Sequence, residues 1–292
     1  MARTRRLKIL GDEAYYHIVS KTVGGEYYLG DVEKEKLLSL IKKYSSFYFI
    51  KVIGFCVMDN HFHLLVKTIN NSEILNDAVI GRIADFYKIK AKDITDDQLK
   101  KYRDKLTDIS EYVKDIKVQF SRWYNKINNR RGYFWGDRFK SVLIENGNAL
   151  LNCLAYVDLN PVRAGICNRP EEYRWSSISY RLAKGVDDFL SFDGIEIDGV
   201  EEYIAFIYRA GKESRFEGED KAKIDENDKA DLNIWSHRVR YFSDTLVIGS
   251  KSFIESSYKK FEHLLKKKDR KVHKLPISEG MFSIRQLKTA YP

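Results

Sequence analysis

The chain predicts an α+β fold: a ferredoxin-like antiparallel sheet with helices packed on one face, followed by a mostly helical C-terminal extension. Three observations carry that expectation. Apolar periodicity switches between strand and helix spacing in the order β-α-β-β-α-β-α. The tripeptide Met58-Asp59-Asn60 joins two strand-like runs as a hairpin. The 292 residues are 43% hydrophobic, which supports a substantial core.

The elements follow in chain order. Ala14 to Thr22 reads as a first strand. Asp31 is placed to cap a helix running to about Tyr48, with Leu37, Leu38, Ile41 and Tyr44 at helical spacing, acids in the first turn and lysines later. Lys51 to Val57 and His61 to Lys67 form the hairpin strands. Residues 72–131 are mostly helical in pattern and include a charged stretch, Lys90 to Lys117, that suggests an inserted helical hairpin. Phe139 to Glu145 is a further strand, and Asn146-Gly147-Asn148 turns the chain into a helix from Ala149 to Asn160 that Pro161 should stop. Pro170 to Leu182 closes this unit, with Trp175 and Tyr180 as anchors. A domain boundary is therefore expected near residue 185, with an insertion over about 70–117 and a separate module over 186–292. Within that module Tyr203 to Tyr208 is an apolar helix segment, Lys212 to Asp231 has the composition of a solvated linker, and Trp235 to Lys274 returns to a helical pattern.

Charge and cysteine content narrow the function classes. The formal net charge is +9, unevenly spread. Arg3, Arg5, Arg6 and Lys8 form an N-terminal basic arm. Lys117, Arg122, Lys126, Arg130, Arg131, Arg138 and Lys140 face a single acid, Asp137, and are interleaved with Phe120, Trp123, Tyr124, Tyr133, Phe134, Trp135 and Phe139. Cations neutralise phosphates and flat rings stack on unpaired bases, so this segment suits nucleic acid. An amphipathic helix with a basic outer face and its aromatics in the core fits equally well. No apolar stretch approaches the roughly 18–20 residues that span a bilayer, and the basic start leads into only Ile9-Leu10, so neither a membrane span nor a secretory signal is expected. Three cysteines without a CxxC pair fit a reducing, cytoplasmic compartment.

Chemistry concentrates in Asn60-His61-Phe62-His63-Leu64-Leu65-Val66. On a strand, His61 and His63 emerge on one face while Phe62, Leu64 and Val66 go to the other. Two imidazoles about 7 Å apart at Cβ can converge on one divalent ion. On the helix before Pro161, Asn152, Tyr156 and Asn160 form a polar stripe beside the apolar stripe of Leu150, Leu151, Leu154 and Val157. Tyr156 is a candidate nucleophile and Asn160 a candidate oxygen ligand. Two imidazoles and one amide oxygen suit Mg²⁺ or Mn²⁺ better than structural zinc. An ion so held could neutralise a phosphodiester during attack by Tyr156, giving a covalent 5′-phosphotyrosine and strand transfer rather than hydrolysis.

Met58 to Val66, with the histidine-hydrophobic-histidine (HUH) triplet His61-Phe62-His63, resembles the metal-binding segment of single-tyrosine HUH transposases, and most of all the REP-associated tyrosine transposase group. Tyr16-His17-Ile18-Val19-Ser20, Gly136-Asp137-Arg138-Phe139-Lys140-Ser141, Tyr156 to Gly165 and Tyr173-Arg174-Trp175-Ser176-Ser177 add to the likeness in the same order, over about residues 1–182. The resemblance implies an HUH endonuclease fold, metal ligands at His61, His63 and Asn160, and the nucleophile at Tyr156. It implies cleavage and joining of single-stranded DNA beside a hairpin (a REP-like palindrome), by a monomer or homodimer at a bacterial nucleoid. DNA contacts are expected from Arg3, Arg5, Arg6, Arg122, Lys126, Arg130, Arg131, Arg138 and Lys140. A hairpin-binding protein that no longer cuts is the competing expectation. A phosphodiesterase working through activated water would need more acidic ligands than this site offers.

Overall fold

The computed structural model describes residues 6–9, 11–184, 188–212, 241–265, 271–275 and 280–284. Strand β1 (Ala14–Lys21) is buried over all but its last residue. It pairs antiparallel with β3 (His61–Thr68) on one side and with β4 (Lys140–Ile144) on the other. β2 (Ile50–Val57) closes the hairpin against β3, with a register shift between Val52 and Gly54. Three short strands extend the sheet beyond β4. β5 (Val247–Gly249) runs parallel to β4, and β6 (Val272–Lys274) and β7 (Phe282–Ile284) are antiparallel to each other, giving the order β2-β3-β1-β4-β5-β7-β6.

Helix α1 (Asp31–Phe47) carries Asp31 and Glu33 in its first turn, where carboxylates complement the helix dipole, and buries Leu37, Leu38, Ile41 and Tyr44. It packs against α4 (Ile109–Ile127), and α2 (Asn76–Tyr87) and α3 (Asp96–Leu106) fill the space beside them. The residues expected to form a helical insertion thus supply most of this layer. The layer covers Tyr16, Ile18, Phe62, Leu64 and Val66. Helix α5 (Asn148–Asp158) lies on the opposite face, where Leu150, Cys153, Leu154 and Val157 meet Ile53, Cys56, Leu65 and Val142. α5 sits so close to β2 that a Cβ on Gly54 would come within 2.2 Å of Leu154 Cδ1. Helices therefore cover both faces rather than one. The reason is that Tyr15, Ile53, Leu65, Val142 and Ile144 make the second face as apolar as the first, and a face of that kind must be buried.

Two further expectations change. Pro161 does not end helical structure: α5 stops at Asp158 and a short helix α6 (Asn160–Arg163) begins at once, with Pro161 in its first turn, where a missing N–H costs nothing. The residues after 185 are not simply helical. Following α7 (Ser177–Lys184), they form α8 (Gly199–Lys212), a short helix α9 (Tyr241–Asp244) and α10 (Lys251–Phe261), and they supply β5, β6 and β7 to the common sheet. Residues 213–240 and 266–270, which hold most of the linker-like stretch and the late lysine run, lie outside the described residues.

Asp158 ties the second layer together. Fully buried at the end of α5, it accepts hydrogen bonds from Ser177 Oγ (2.6 Å), the Ile178 amide (3.1 Å) and Tyr203 Oη (2.6 Å), joining α5 to α7 and α8. Removing the carboxylate strands three buried donors. Asp158→Ala should lower the unfolding free energy by about 3 kcal/mol, read from urea denaturation. A loss under about 1 kcal/mol would mean that the donors find other partners.

Candidate active site

The sheet register assembles the site. Residues opposite each other on paired strands share a face, so Val19, paired with both His63 and Lys140, brings β3 and β4 chemistry to one side of β1. Lys21 pairs with His61 and His17 with Leu65 and Val142, on that same face. His61, His63, Lys21, Lys140, Tyr156, Asn160 and Arg163 together line a cavity of about 890 Å³ at the end of the sheet.

Hydrogen bonds define which nitrogen of each histidine is free. The Phe242 carbonyl can only accept, so His17 Nδ1, 2.6 Å away, must donate to it. Burial pushes His17 down to about 4, which keeps it neutral near pH 7 and makes its Nε2 an acceptor. His63 Nδ1, 2.9 Å from that Nε2, must then carry the second proton of the chain. His63 Nε2 is left with a lone pair, buried and without a hydrogen-bond partner among the described residues. Asn60 does the same for His61. Its Nδ2 donates to the Gly25 carbonyl at 2.8 Å, which fixes the amide so that Oδ1 accepts from His61 Nδ1 at 2.6 Å. Burial, helped by Lys21, pushes His61 down to about 4, and burial takes His63 well below the usual imidazole range. Both Nε2 atoms are thus unprotonated, the form a metal requires.

Tyr156 reaches this cluster from α5. Its ring stands edge-on to His17 and His63, with centroids 5.8 Å away in each case, and packs on Phe242 at 5.1 Å. Burial raises its phenol above the ordinary value, while the Arg163 guanidinium, 4.4 Å from the ring centroid, and a hydrogen bond with Ser243 pull it back. Asn160 Nδ2 donates to the Tyr156 and Val157 carbonyls at 3.0 and 3.3 Å, so Oδ1 is the atom left to act as a ligand. Among the described residues no three His, Cys, Asp or Glu side chains converge on one point. The nitrogen and oxygen groups to test for a cation here are two imidazoles and one amide, all three lining the same cavity. The orphaned His63 Nε2 and the set tautomer of His61 fit a divalent ion with open positions.

The expected DNA-contacting cations fall into three groups. Arg122, Lys126 and Arg131 are exposed on and after α4, and Arg138 and Lys140 are exposed at the cavity, with Lys140 paired to Asp244 at 2.6 Å. Arg6 and Arg130 are packed into the protein: Arg6 stacks on Phe139 at 3.8 Å and donates to Ser110, while Arg130 lies over Tyr28 and Tyr124. Arg3 and Arg5 lie outside the described residues. The aromatics of the basic segment are core residues for the most part. Phe120, Tyr124, Phe134, Trp135 and Phe139 are buried, Trp123 is half-buried, and Tyr133 alone of the seven is exposed. Gly136 seats the loop that carries Arg138, since a Cβ there would meet the Thr22 carbonyl oxygen at 2.9 Å.

The roles suggested by Asn60, Phe242, Ser243 and Arg163 do not emerge from the sequence. Asn60 and Arg163 stand inside recognisable motifs, so a search for partners of His61 and Tyr156 could have reached them. Phe242 and Ser243 carry no such signal.

The IS200-like transposase family model matches residues 12–106. That span contains His17, Asn60, His61 and His63 and ends before Tyr156. No curated protein matches the chain. Among solved structures, a REP-associated tyrosine transposase bound to a REP hairpin aligns at 17% identity with a TM-score of 0.44, over 68% of this chain and 99% of that one.

The depressed imidazoles set an acid limit. A histidine whose folded pKa lies below its unfolded value of about 6.5 contributes stability that is complete above that value and lost as pH falls towards the folded pKa. With His17 and His61 at about 4, unfolding free energy should decline from pH 6.5 to pH 4, and His17→Gln should flatten the decline by removing one titrating group. Urea midpoints across that range give the slope. An identical slope in both proteins would contradict the neutral His17.

Proposed function

We propose that this chain is a metal-dependent, tyrosine-nucleophile DNA strand transferase that cuts and rejoins single-stranded DNA beside a hairpin. The observation that carries the reading is the meeting of Tyr156 with the His61 and His63 pair in one cavity, all from a single chain. The transposase family match over residues 12–106 supports it.

In this reading His61 Nε2, His63 Nε2 and Asn160 Oδ1 are the groups that would hold Mg²⁺ or Mn²⁺. When bound, the ion supplies positive charge to the non-bridging oxygens of the phosphodiester. His17 and Asn60 keep the two imidazoles in the ligating tautomer. Tyr156 Oη attacks phosphorus in line, the P–O3′ bond breaks, and the departing 3′ oxygen takes up a proton as the tyrosine loses one. The product is a 5′-phosphotyrosine, close in energy to the diester it replaces, so a second 3′-hydroxyl can reverse the step and join a new strand. Exposed Arg122, Lys126, Arg131 and Arg138 hold the DNA backbone, and Lys140 serves once Asp244 gives way to phosphate.

The test uses the full chain with a labelled single-stranded hairpin oligonucleotide and Mn²⁺, resolved on a denaturing gel. Wild type should form a covalent protein-DNA adduct. Tyr156→Phe and His63→Ala should each reduce adduct formation by more than about 1,000-fold while leaving hairpin binding within a few-fold. Cleavage that survives Tyr156→Phe would assign the attack to water, and tight binding without any adduct would assign the chain to hairpin recognition alone.

A further inference from the structure

Arg163 is a cation on the cavity wall that has no anionic partner among the described residues. It belongs to α6, seven residues or about two turns beyond Tyr156 and just after Pro161. Its Nη2 donates to the Tyr156 carbonyl, and its Cζ stands 4.4 Å from the centre of the Tyr156 ring. These contacts hold the guanidinium in place, while Nη1 is buried and makes no hydrogen bond among the described residues. The acidic groups acting on Arg163 are the Tyr156 phenol and the Cys56 thiol, and burial keeps both neutral near pH 7. Lys140, on the same cavity, already has its counter-charge in Asp244.

A buried charge with neither a carboxylate nor a full set of acceptors is costly, and such groups are ordinarily paired. The neighbours of Arg163 inside the cavity make the cost larger. His61 and His63 present lone pairs that are reserved for a cation by their fixed tautomers, and their rings add no negative charge. A ligand with diffuse negative charge and oxygen acceptors removes the deficit, and a guanidinium fork matches a phosphate better than it matches any other common anion.

We propose that Arg163 is the phosphate-binding residue of this cavity, its free Nη1 edge taking a non-bridging oxygen of a phosphodiester held beside the Tyr156 hydroxyl. That the phosphate belongs to DNA rests on the strand-transfer reading; that the site binds phosphate does not. The role is one of charge and geometry together. Lysine at 163 would keep the charge but could not both donate to the Tyr156 carbonyl and present a second planar N–H to the ligand.

The experiment is equilibrium dialysis of the full chain against radiolabelled inorganic phosphate at pH 7, without metal or DNA and at fixed ionic strength. Wild type, Arg163→Met and Arg163→Lys are compared, with circular dichroism melts to establish folding. Wild type should bind phosphate saturably, Arg163→Met should bind at least tenfold more weakly, and Arg163→Lys should fall between them. Absence of saturable binding in wild type, or equal binding in wild type and Arg163→Met, overturns the proposal. If Arg163→Met does not fold, Arg163→Lys decides, and undiminished binding overturns it again. The covalent-adduct assay run beside it separates the two readings. Arg163-dependent phosphate binding without any adduct keeps the anion site and removes strand transfer; an adduct with Arg163-independent phosphate binding keeps strand transfer and removes the anion site.

Discussion

Everything at the candidate site depends on how β1 is paired. This strand is buried on both faces and hydrogen-bonded on both edges, with Tyr16 and Ile18 in one core and Tyr15 in the other. A slip of one residue would carry Ile18 into the place of His17 and turn the imidazole into the opposite core, where neither the Phe242 carbonyl nor His63 could satisfy it. The apolar packing on both faces thus fixes the register far more firmly than the polar contacts could. Once fixed, that register delivers His17, His61, His63 and Lys140 to the same side without any further device.

Burial has opposite consequences for the two kinds of functional group. It keeps the imidazoles unprotonated, so a metal would meet little competition from protons down to about pH 5. The same desolvation raises the Tyr156 phenol and makes it a poorer nucleophile. The protein opposes that effect locally with the Arg163 charge and the Ser243 hydroxyl. Ser243 lies on α9, whose Phe242 carbonyl orders the histidine chain and whose Asp244 holds Lys140. The C-terminal residues are therefore a structural part of the site, and the boundary expected near residue 185 does not separate them from it.

Much of this was legible in the residues themselves. The alternation of His61-Phe62-His63 with Leu64 and Val66, and the four-residue spacing of Tyr156 and Asn160, are periodicities that a strand and a helix translate directly into faces. The hairpin turn at Met58-Asp59-Asn60 stands where its residues predict. What escaped is whatever depends on long-range packing. A backbone carbonyl 225 residues from His17 has no side-chain signature, so the tautomer of the histidine pair was invisible until the fold was known. The second helical layer was missed because a short apolar strand reads the same whether one face or both are covered. The aromatics decide between the two readings left open for the basic segment: Phe120 and Tyr124 at i and i+4 belong to the buried stripe of α4, and Phe134 and Trp135 pack onto it, leaving few rings for bases.

The polar arrangement itself bears on whether the cavity exists for chemistry. A protein that only grips a hairpin needs surface cations and shape, and gains nothing from buried polar atoms that lack partners. Here His63 Nε2 and Arg163 Nη1 are both buried and unsatisfied among the described residues, each at a cost that an apolar residue of similar size would avoid. The two atoms are complementary in what they lack, a cation for the nitrogen lone pair and an anion for the guanidinium N–H. A metal ion together with the phosphate it polarises would supply both at once, and Tyr156 is the side chain that touches the ring of one and carries the other on its face. On the proposed strand-transfer reading, the unsatisfied pair would be the two halves of one ligand site beside the Tyr156 ring.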